Sequence, residues 1–458
     1  MENIQKKKGL LALLVIIILS AAAQISILRS YHPVWWDAAV YSGMGKFIFS
    51  AGKSGIWEPL RPPILPLMLG ILWKLGIGLV PAGMILLIIF SLGTAVLAFL
   101  ISKKLFGEKT AVIAAFLTAF SHLFIFYSHT GLSEIPSVFF GMLAVLLLLN
   151  NKYFLSGAVA GISFLTKFPS GIIFGASLLF IIFFSTEKKN EKAKKAGMLF
   201  LGFLIPAMLY LLANIAMYGN PMLPFHEGQL AIDYTFPKAP FYFYIKGILA
   251  EGIVCAFAIV YGLLSIFKKE SRKIRSEKIL LWIILGLFLL YFSMLGYKEM
   301  RFSLLFIPYI YIFSAAGIAA AFSKKPALII TVLVIFAFQS AYELSSYQNY
   351  WETKSPNPTM QNFYNSITGK SGEIWVSDPL FSLHTDARLH LLYYPTFEEA
   401  SKQIKLENAS FVFLNTCDLV CRNEECEERK SELIEYLENS FNKSETNSSS
   451  CRLLSFSR

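Results

Sequence analysis

The residues best suited to chemistry in this chain are ionisable side chains at the ends of long apolar runs. Asp37 lies in "YHPVWWDAAVYSGMGKF" (31–47), just after the first such run, with Tyr41 four residues on. Residues four apart share a helical face, so Tyr41 can orient the Asp37 carboxylate. Glu58 and Arg61 follow in "WEPLRPP", His129 and Glu134 in "SHTGLSEIPS", and Lys167 in "FLTKFPSG". Further on come His226, Glu227 and Asp233 in "GNPMLPFHEGQLAIDY", then Lys298, Glu299 and Arg301 in "GYKEMRF". A carboxylate can take the proton of an attacking hydroxyl, and fixed cations can stabilise charge growing on a phosphate leaving group. Charges beside hydrocarbon are costly unless paired or used. The set points to a site at one membrane face that handles a lipid with an anionic head.

The elements that must position these groups are membrane spans. Of 458 residues, 55% are hydrophobic and 16% charged, and the mean hydropathy is +0.56. A soluble protein could not cover that much apolar surface, so the expected class is an α-helical polytopic membrane protein. The net charge of +11 does not point to nucleic acid, because the basic residues cluster in short loops between apolar runs. Spans are expected near 10–28, 81–101, 111–128, 133–150, 153–168, 170–185, 197–217, 246–267, 279–296, 302–322 and 326–343. The run "RPPILPLMLGILWKLG" (61–76) is short and holds Arg61 and Lys74, so it reads as a juxtamembrane helix. The first run, Leu10 to Leu28, is longer than a signal-peptide core and reads as a retained signal anchor. With the N-terminus cytoplasmic, each basic block, among them "KKLFGEK" (103–109), "EKKNEKAKK" (187–195) and "KKESRKIRSEK" (268–278), falls inside. The positive-inside rule thus favours about eleven spans.

Residues 1–345 form the expected transmembrane domain and 346–458 a small extracytoplasmic α/β domain. In the latter, "GEIWVSD", "ASFVFLN" and "CRLLSFS" read as strands, and "FEEASKQIKL" and "ECEERKSELIEYLENSF" as helices. This tail holds Cys417, Cys421, Cys426 and Cys451, and Asn-x-Ser patterns at Asn408, Asn442 and Asn447. Paired cysteines suit an oxidising exterior, and three pairings are open. The spacings match no standard zinc knuckle, and no metal site is expected.

Each candidate also has a plainer reading. Asp37 suits a helix N-terminus through the dipole. Trp35 and Trp36 fit interfacial anchors better than sugar platforms. Arg61 can snorkel to head groups, Glu134 can be a span N-terminal charge, and Lys167 an ordinary helix-end stop. "YKEMR" can be a charged turn, and His226 and Glu227 in a wetter loop fit a structural role best.

Taken in order, these segments resemble the GT-C superfamily of membrane glycosyltransferases. The likeness is best to the dolichyl-phosphate-mannose protein mannosyltransferase and aminoarabinose transferase group. It rests on an Asp in the first outer loop with a Tyr four residues on, "RPP" opening a juxtamembrane helix, "KKLFGEK", "LSEIPSVFF", "GISFLTKFPSG", "YGNPMLPF" and "YKEMRFSLLFIPYI". The last also resembles a His-Lys-Glu-x-x-Arg-Phe element of lipid-linked mannosyltransferases, with Tyr297 in place of the His. The resemblance covers roughly residues 1–345. It implies transfer of a sugar, a mannose-like hexose, from a polyprenyl- or dolichyl-phosphate carrier to a glycan, lipid or protein acceptor, with inversion. It assigns Asp37 as general base and Glu134 as the second-loop acid, which positions the acceptor or sugar hydroxyls or helps hold a divalent ion. Tyr41, Arg61, Lys167, Lys298, Glu299 and Arg301 are the implied substrate-binding groups, with Arg61 and Arg301 favoured for bidentate phosphate contact. No cofactor is certain, and a divalent cation stays open because metal dependence differs across the superfamily. The chain departs from the pattern in having a single first-loop acid where many mannosyltransferases have Asp-Glu, and no β-trefoil-like insert is visible. That puts a protein Ser/Thr acceptor in doubt. The alternatives are a flippase or transporter of a lipid-linked saccharide, which would place polar groups in mid-span, and a non-catalytic assembly subunit.

Overall fold

The computed structural model describes residues 2–28, 34–235, 238–265, 270–352, 358–392, 409–419, 421, 424–448 and 451–458. In chain order the helices are α1 (Glu2–Ile27), α2 (Trp36–Phe49), α3 (Ile64–Lys74), α4 (Leu79–Phe106), α5 (Glu108–Ala119), α6 (His122–Tyr127), α7 (Glu134–Leu149), α8 (Tyr153–Thr166) and α9 (Gly171–Leu179). They continue with α10 (Lys189–Tyr218), α11 (Leu223–Thr235), α12 (Phe243–Ala250), α13 (Ile253–Ser265), α14 (Arg272–Met294), α15 (Ile307–Ala321), α16 (Pro326–Glu352), α17 (Pro358–Asn365) and α18 (Glu424–Ser440). The chain packs as two discontinuous units. The first is residues 1–32, 84–213 and 238–352, and the second residues 33–83, 214–237 and 353–458.

The first unit is a helical bundle. Among the described residues, α1, α4, α10, α14 and α16 are long and apolar enough to cross a membrane, and five further apolar helices are shorter. This is the expected multi-pass architecture, but several expected spans are not continuous. The span at 246–267 is broken into α12 and α13, bent by 108°. Gly252 sits at the break with φ +74°, a conformation that costs glycine nothing and a Cβ-bearing residue strain. The span at 111–128 is divided between α5 and α6, because Ser121 is extended and its hydroxyl accepts from Tyr311 of α15 at 2.9 Å. The span at 302–322 begins with a 3₁₀ turn, Met300–Leu305, and only then becomes α15. Small residues let the helices approach closely: Ala95, Ala111, Ala115 and Ala119 pack with Leu13, Ile16 and Phe99 where α1, α4 and α5 meet. Helix α15 is buried on every side from Ile307 to Ile318, as expected for the centre of a bundle.

In the second unit a five-stranded sheet runs β2-β1-β3-β5-β4. Its strands are β1 (Ile374–Val376), β2 (Leu389–Leu391), β3 (Phe411–Asn415), β4 (Asn442–Ser448) and β5 (Cys451–Ser457). Strand β1 pairs in parallel with β2 and β3, and β5 pairs antiparallel with β3 and β4. Side chains alternate between the two faces, as the pleat requires. Trp375, Val412, Leu414, Leu454 and Phe456 face α18 through Leu433 and Leu437. Ile374, Val376, Phe413 and Leu453 pack with Phe363 and Phe381, and with Val40 and Met44 of α2. The α/β domain expected from the tail therefore takes one wall of its core from α2. Trp36 packs against that same cluster.

Strands β1, β3 and β5 and helix α18 fall where expected, and the helix expected at 397–406 lies outside the described residues. Strand β4 was not expected, because "NKSETNS" is polar throughout. It is an edge strand, where charge guards against stray pairing. Asn442 opens it and is exposed, and Asn408 lies outside the described residues. Of the three open cysteine pairings, the structure has Cys417–Cys451 and Cys421–Cys426.

Candidate active site

Asp37 stands in the first turn of α2. Its Oδ1 lies 2.9 Å from Arg61 Nη2, and Arg61 also pairs through Nε with Glu58, which is 2% exposed. The guanidinium lies over the Tyr41 ring, 6.0 Å from its centroid. Burial opposes the Arg61 charge, but the Asp37 and Glu58 carboxylates outweigh it and hold the group further above its ordinary pKa. The loop that brings Glu58 and Arg61 back to α2 is pinned by Ile56, whose N–H donates to the Gly43 carbonyl at 3.2 Å. Gly55 makes this possible: its φ is +80°, and a Cβ there would sit 2.1 Å from the Gly43 oxygen. Trp57 anchors the loop further, its indole N–H donating to the Tyr218 hydroxyl at 2.6 Å.

A second constellation lies wholly in the first unit. Glu134 opens α7 and is 1% exposed. Lys167, at the extended C-terminal end of α8, donates to Glu134 Oε1 at 2.6 Å. Arg301, on the 3₁₀ turn before α15, places Nε 3.7 Å from the same oxygen and pairs with Glu299. The other Glu134 oxygen, Oε2, is buried and has no hydrogen-bond partner among the described residues. Tyr297 donates its hydroxyl to Glu299. The Glu299 backbone is held by Tyr244 of α12, whose hydroxyl donates to the Glu299 carbonyl at 3.1 Å and accepts from its N–H at 3.3 Å.

The eight candidates thus divide. Asp37, Tyr41 and Arg61 share one cluster, and Glu134, Lys167, Glu299 and Arg301 the other. Lys298, placed with the phosphate cations from sequence, instead donates to the backbone carbonyls of Ala239, at 3.0 Å, and Leu295. His129 is buried, with its ring nitrogens on the carbonyls of Ile125 and Gln24 at 2.7 and 2.9 Å. His226 is exposed on α11, 3.8 Å from Glu227, and that segment, read as a loop, is helical. Glu58 was visible beside Arg61 but had no assigned role. Tyr244 had no signal in sequence beyond being one tyrosine among 21. Among the described residues, no three His, Cys, Asp or Glu side chains gather as metal ligands.

The bundle, its broken helices and the appended sheet are those of a multi-pass membrane protein with the GT-C fold. Residues 60–212, about a third of the chain, match the family model described as dolichyl-phosphate-mannose-protein mannosyltransferase. The solved structure of ArnT from Cupriavidus metallidurans bound to undecaprenyl phosphate is similar over 97% of each chain, with a TM-score of 0.69 at 10% identity. The archaeal oligosaccharyltransferase AglB from Archaeoglobus fulgidus, in complex with an inhibitory peptide and a dolichol-phosphate, has a TM-score of 0.55 at 13% identity. That match covers 88% of this chain and 69% of AglB. An uncharacterized protein of Aquifex aeolicus (strain VF5) is 24% identical over 190 residues, and the match spans 40% of this chain and 38% of that protein. The resemblance to GT-C membrane glycosyltransferases drawn from the sequence is borne out by these matches. At such identities the solved structures speak for the fold.

Proposed function

We propose that the chain is an inverting glycosyltransferase. It moves a sugar, a mannose-like hexose, from a polyprenyl- or dolichyl-phosphate carrier to an acceptor at the outer membrane face. The observation that carries this reading is the 2.9 Å pairing of Asp37 with Arg61. It sets a proton acceptor beside a cation with the geometry for phosphate, the two groups that glycosyl transfer from a lipid phosphate requires. In the reaction an acceptor hydroxyl attacks the anomeric carbon, and its proton passes to the Asp37 carboxylate. The bond from that carbon to the phosphate oxygen breaks, and its electron pair stays on the lipid phosphate. Attack opposite the leaving group inverts the anomeric centre.

Arg61 offers two parallel N–H donors to the phosphate. Within the first unit, Lys167 and Arg301 hold positive charge around Glu134, the proposed second acid, whose buried Oε2 has no hydrogen-bond partner among the described residues. Glu299 orients Arg301, and Lys298 secures the loop that carries both. The N-terminus is cytoplasmic and the sheet lies outside, a placement supported by the basic inner loops and by two disulfides. The test is mass spectrometry of surface glycans and lipid-linked sugars in cells with the gene, without it, and carrying Asp37→Asn. Loss of the same single sugar in the last two, with the variant still inserted in the membrane, is the expected result. An unchanged product with Asp37→Asn removes the assigned role.

A further inference from the structure

The second unit holds a cavity of about 800 Å³ that the Asp37 cluster does not use. It lies where the end of α3 and the turn into α4 meet the segment around residues 368 and 383–386. Lys46, which opens onto it, is nine residues beyond Asp37 on α2. That is roughly 13.5 Å along the helix and about half a turn round it, so the cavity faces away from Asp37.

Its polar groups form a prepared arrangement. Asp386 Oδ1 takes the Lys46 ammonium at 2.9 Å and the Trp73 indole N–H at 3.2 Å. Lys46 is otherwise spent on the carbonyls of Ser382 and Thr385, at 2.8 and 3.0 Å. Asp386 Oδ2 has no hydrogen-bond partner among the described residues, and the side chain is 68% exposed. One carboxylate oxygen is therefore clamped and the other is presented beside the edge of the Trp73 indole. Nearby, burial and then Lys46 hold His384 below its ordinary pKa, so its ring is neutral at pH 7. With Lys46 and Asp386 cancelling, Lys74 is the one remaining charge among these groups. An anion would meet the Asp386 carboxylate against little net positive charge. A neutral polyol suits the lining better, because its hydroxyls can donate to Oδ2 and to the imidazole while its apolar C–H groups pack on the Trp73 indole that lines the cavity. The size falls within the range of small-ligand pockets. The lip is apolar, with Leu75 and Ile77 exposed just before α4 begins.

We infer that this cavity is a saccharide-binding subsite, separate from the Asp37 constellation, that holds a neutral sugar through Asp386 Oδ2 and the Trp73 indole. It does not depend on the transferase reading, since its readout is binding.

The experiment is calorimetric titration of the full chain in phosphatidylcholine nanodiscs, which avoids sugar-headed detergents. The probes are methyl glycosides and trisaccharides of glucose, mannose, galactose and N-acetylglucosamine. Saturable binding of at least one is expected. Asp386→Ala should weaken it tenfold or more, and Ile77→Trp, which fills the lip without touching Asp386, should abolish it. Ile77 is exposed, so Ile77→Trp should keep the wild-type melting temperature. Asp386→Ala also unpairs the buried Lys46, so Asp386→Asn is measured beside it. That variant keeps Oδ1 for Lys46 and Trp73 but turns the Oδ2 acceptor into a donor, and it should weaken binding while leaving the melting temperature near that of the wild type. Tighter binding of an alkyl glycoside than of its methyl glycoside would name a lipid-linked sugar as the occupant, and equal binding a soluble one; either supports the site. No saturable binding across the panel, affinities unchanged in both variants, or binding of inorganic phosphate or phosphatidylglycerol in place of the sugars would overturn it.

Discussion

The Lys167 ammonium lies 2.6 Å from Glu134 Oε1, although 33 residues separate them in the chain. With Glu134 1% exposed, this is a buried ion pair, and a buried charge left alone is expensive. Lys167→Met should cost about 2 kcal/mol of stability, the loss of a charge-assisted hydrogen bond, because it leaves the buried carboxylate with only the more distant Arg301 Nε, at 3.7 Å. The double variant Glu134→Gln, Lys167→Met should lose clearly less than the sum of the two single losses. Thermal melts in nanodiscs measure all three. Strictly additive losses would mean that the two side chains are not coupled.

Arg61 pairs with two carboxylates at once, and only a planar fork can do this while keeping a donor face for phosphate. Arg61→Lys retains the charge but loses the fork. On the proposed reading it should raise KM for the lipid carrier roughly tenfold, the loss of about one charge-assisted hydrogen bond. A variant with wild-type KM would show that Arg61 only braces Asp37.

Asp378 and Asp418 follow the neighbouring parallel strands β1 and β3; Asp378 is buried and Asp418 half-buried. Burial pushes the Asp378 carboxyl up from its usual 3.8 to about 6. Burial, together with the neighbouring Asp378, holds Asp418 well above its ordinary range. A carboxyl whose folded pKa is raised binds more protons folded than unfolded. Its contribution is therefore favourable at low pH and is lost as pH rises through about 4 to 6. Relative to Asp378→Asn, the wild type should lose on the order of 2 kcal/mol between pH 4.5 and pH 7. Melting curves of both proteins across that range test this, and a constant gap between them would contradict it.

The two disulfides close loops of different length. Cys417 and Cys451 are 34 residues apart and Cys421 and Cys426 only 5. In the chain-entropy account, removing the first costs about 4 kcal/mol and the second about 2 kcal/mol. Paired Cys→Ser variants should melt in that order, with the Cys417–Cys451 variant lower. The opposite order would place the second bridge at a more critical point in the sheet.

Much of this architecture could be read locally. The membrane class follows from apolar run length and the placement of lysines. Strands β1, β3 and β5 follow from alternation, and α18 from its amphipathic pattern. Other features could not be read this way. Strand β4 is invisible to hydrophobic alternation because it is polar. The breaks at Ser121 and Gly252 lie inside runs that are apolar on average; His122 and Glu251 are the polar residues beside them, and a backbone conformation, which average hydropathy does not report, decides where each helix ends.

The sequence by itself determined the solvent each segment prefers, and so the gathering of acids and bases at the ends of apolar runs. Those preferences belong to single residues and their near neighbours. Only the tertiary structure decided which charges meet: Asp37 with Arg61, Glu134 with Lys167 and Arg301, and Lys298 with carbonyls alone. It also decided that α2 would close one face of a sheet built more than 300 residues later. Such pairings depend on how distant segments pack, and a contact of that kind leaves no mark on the local pattern of either partner.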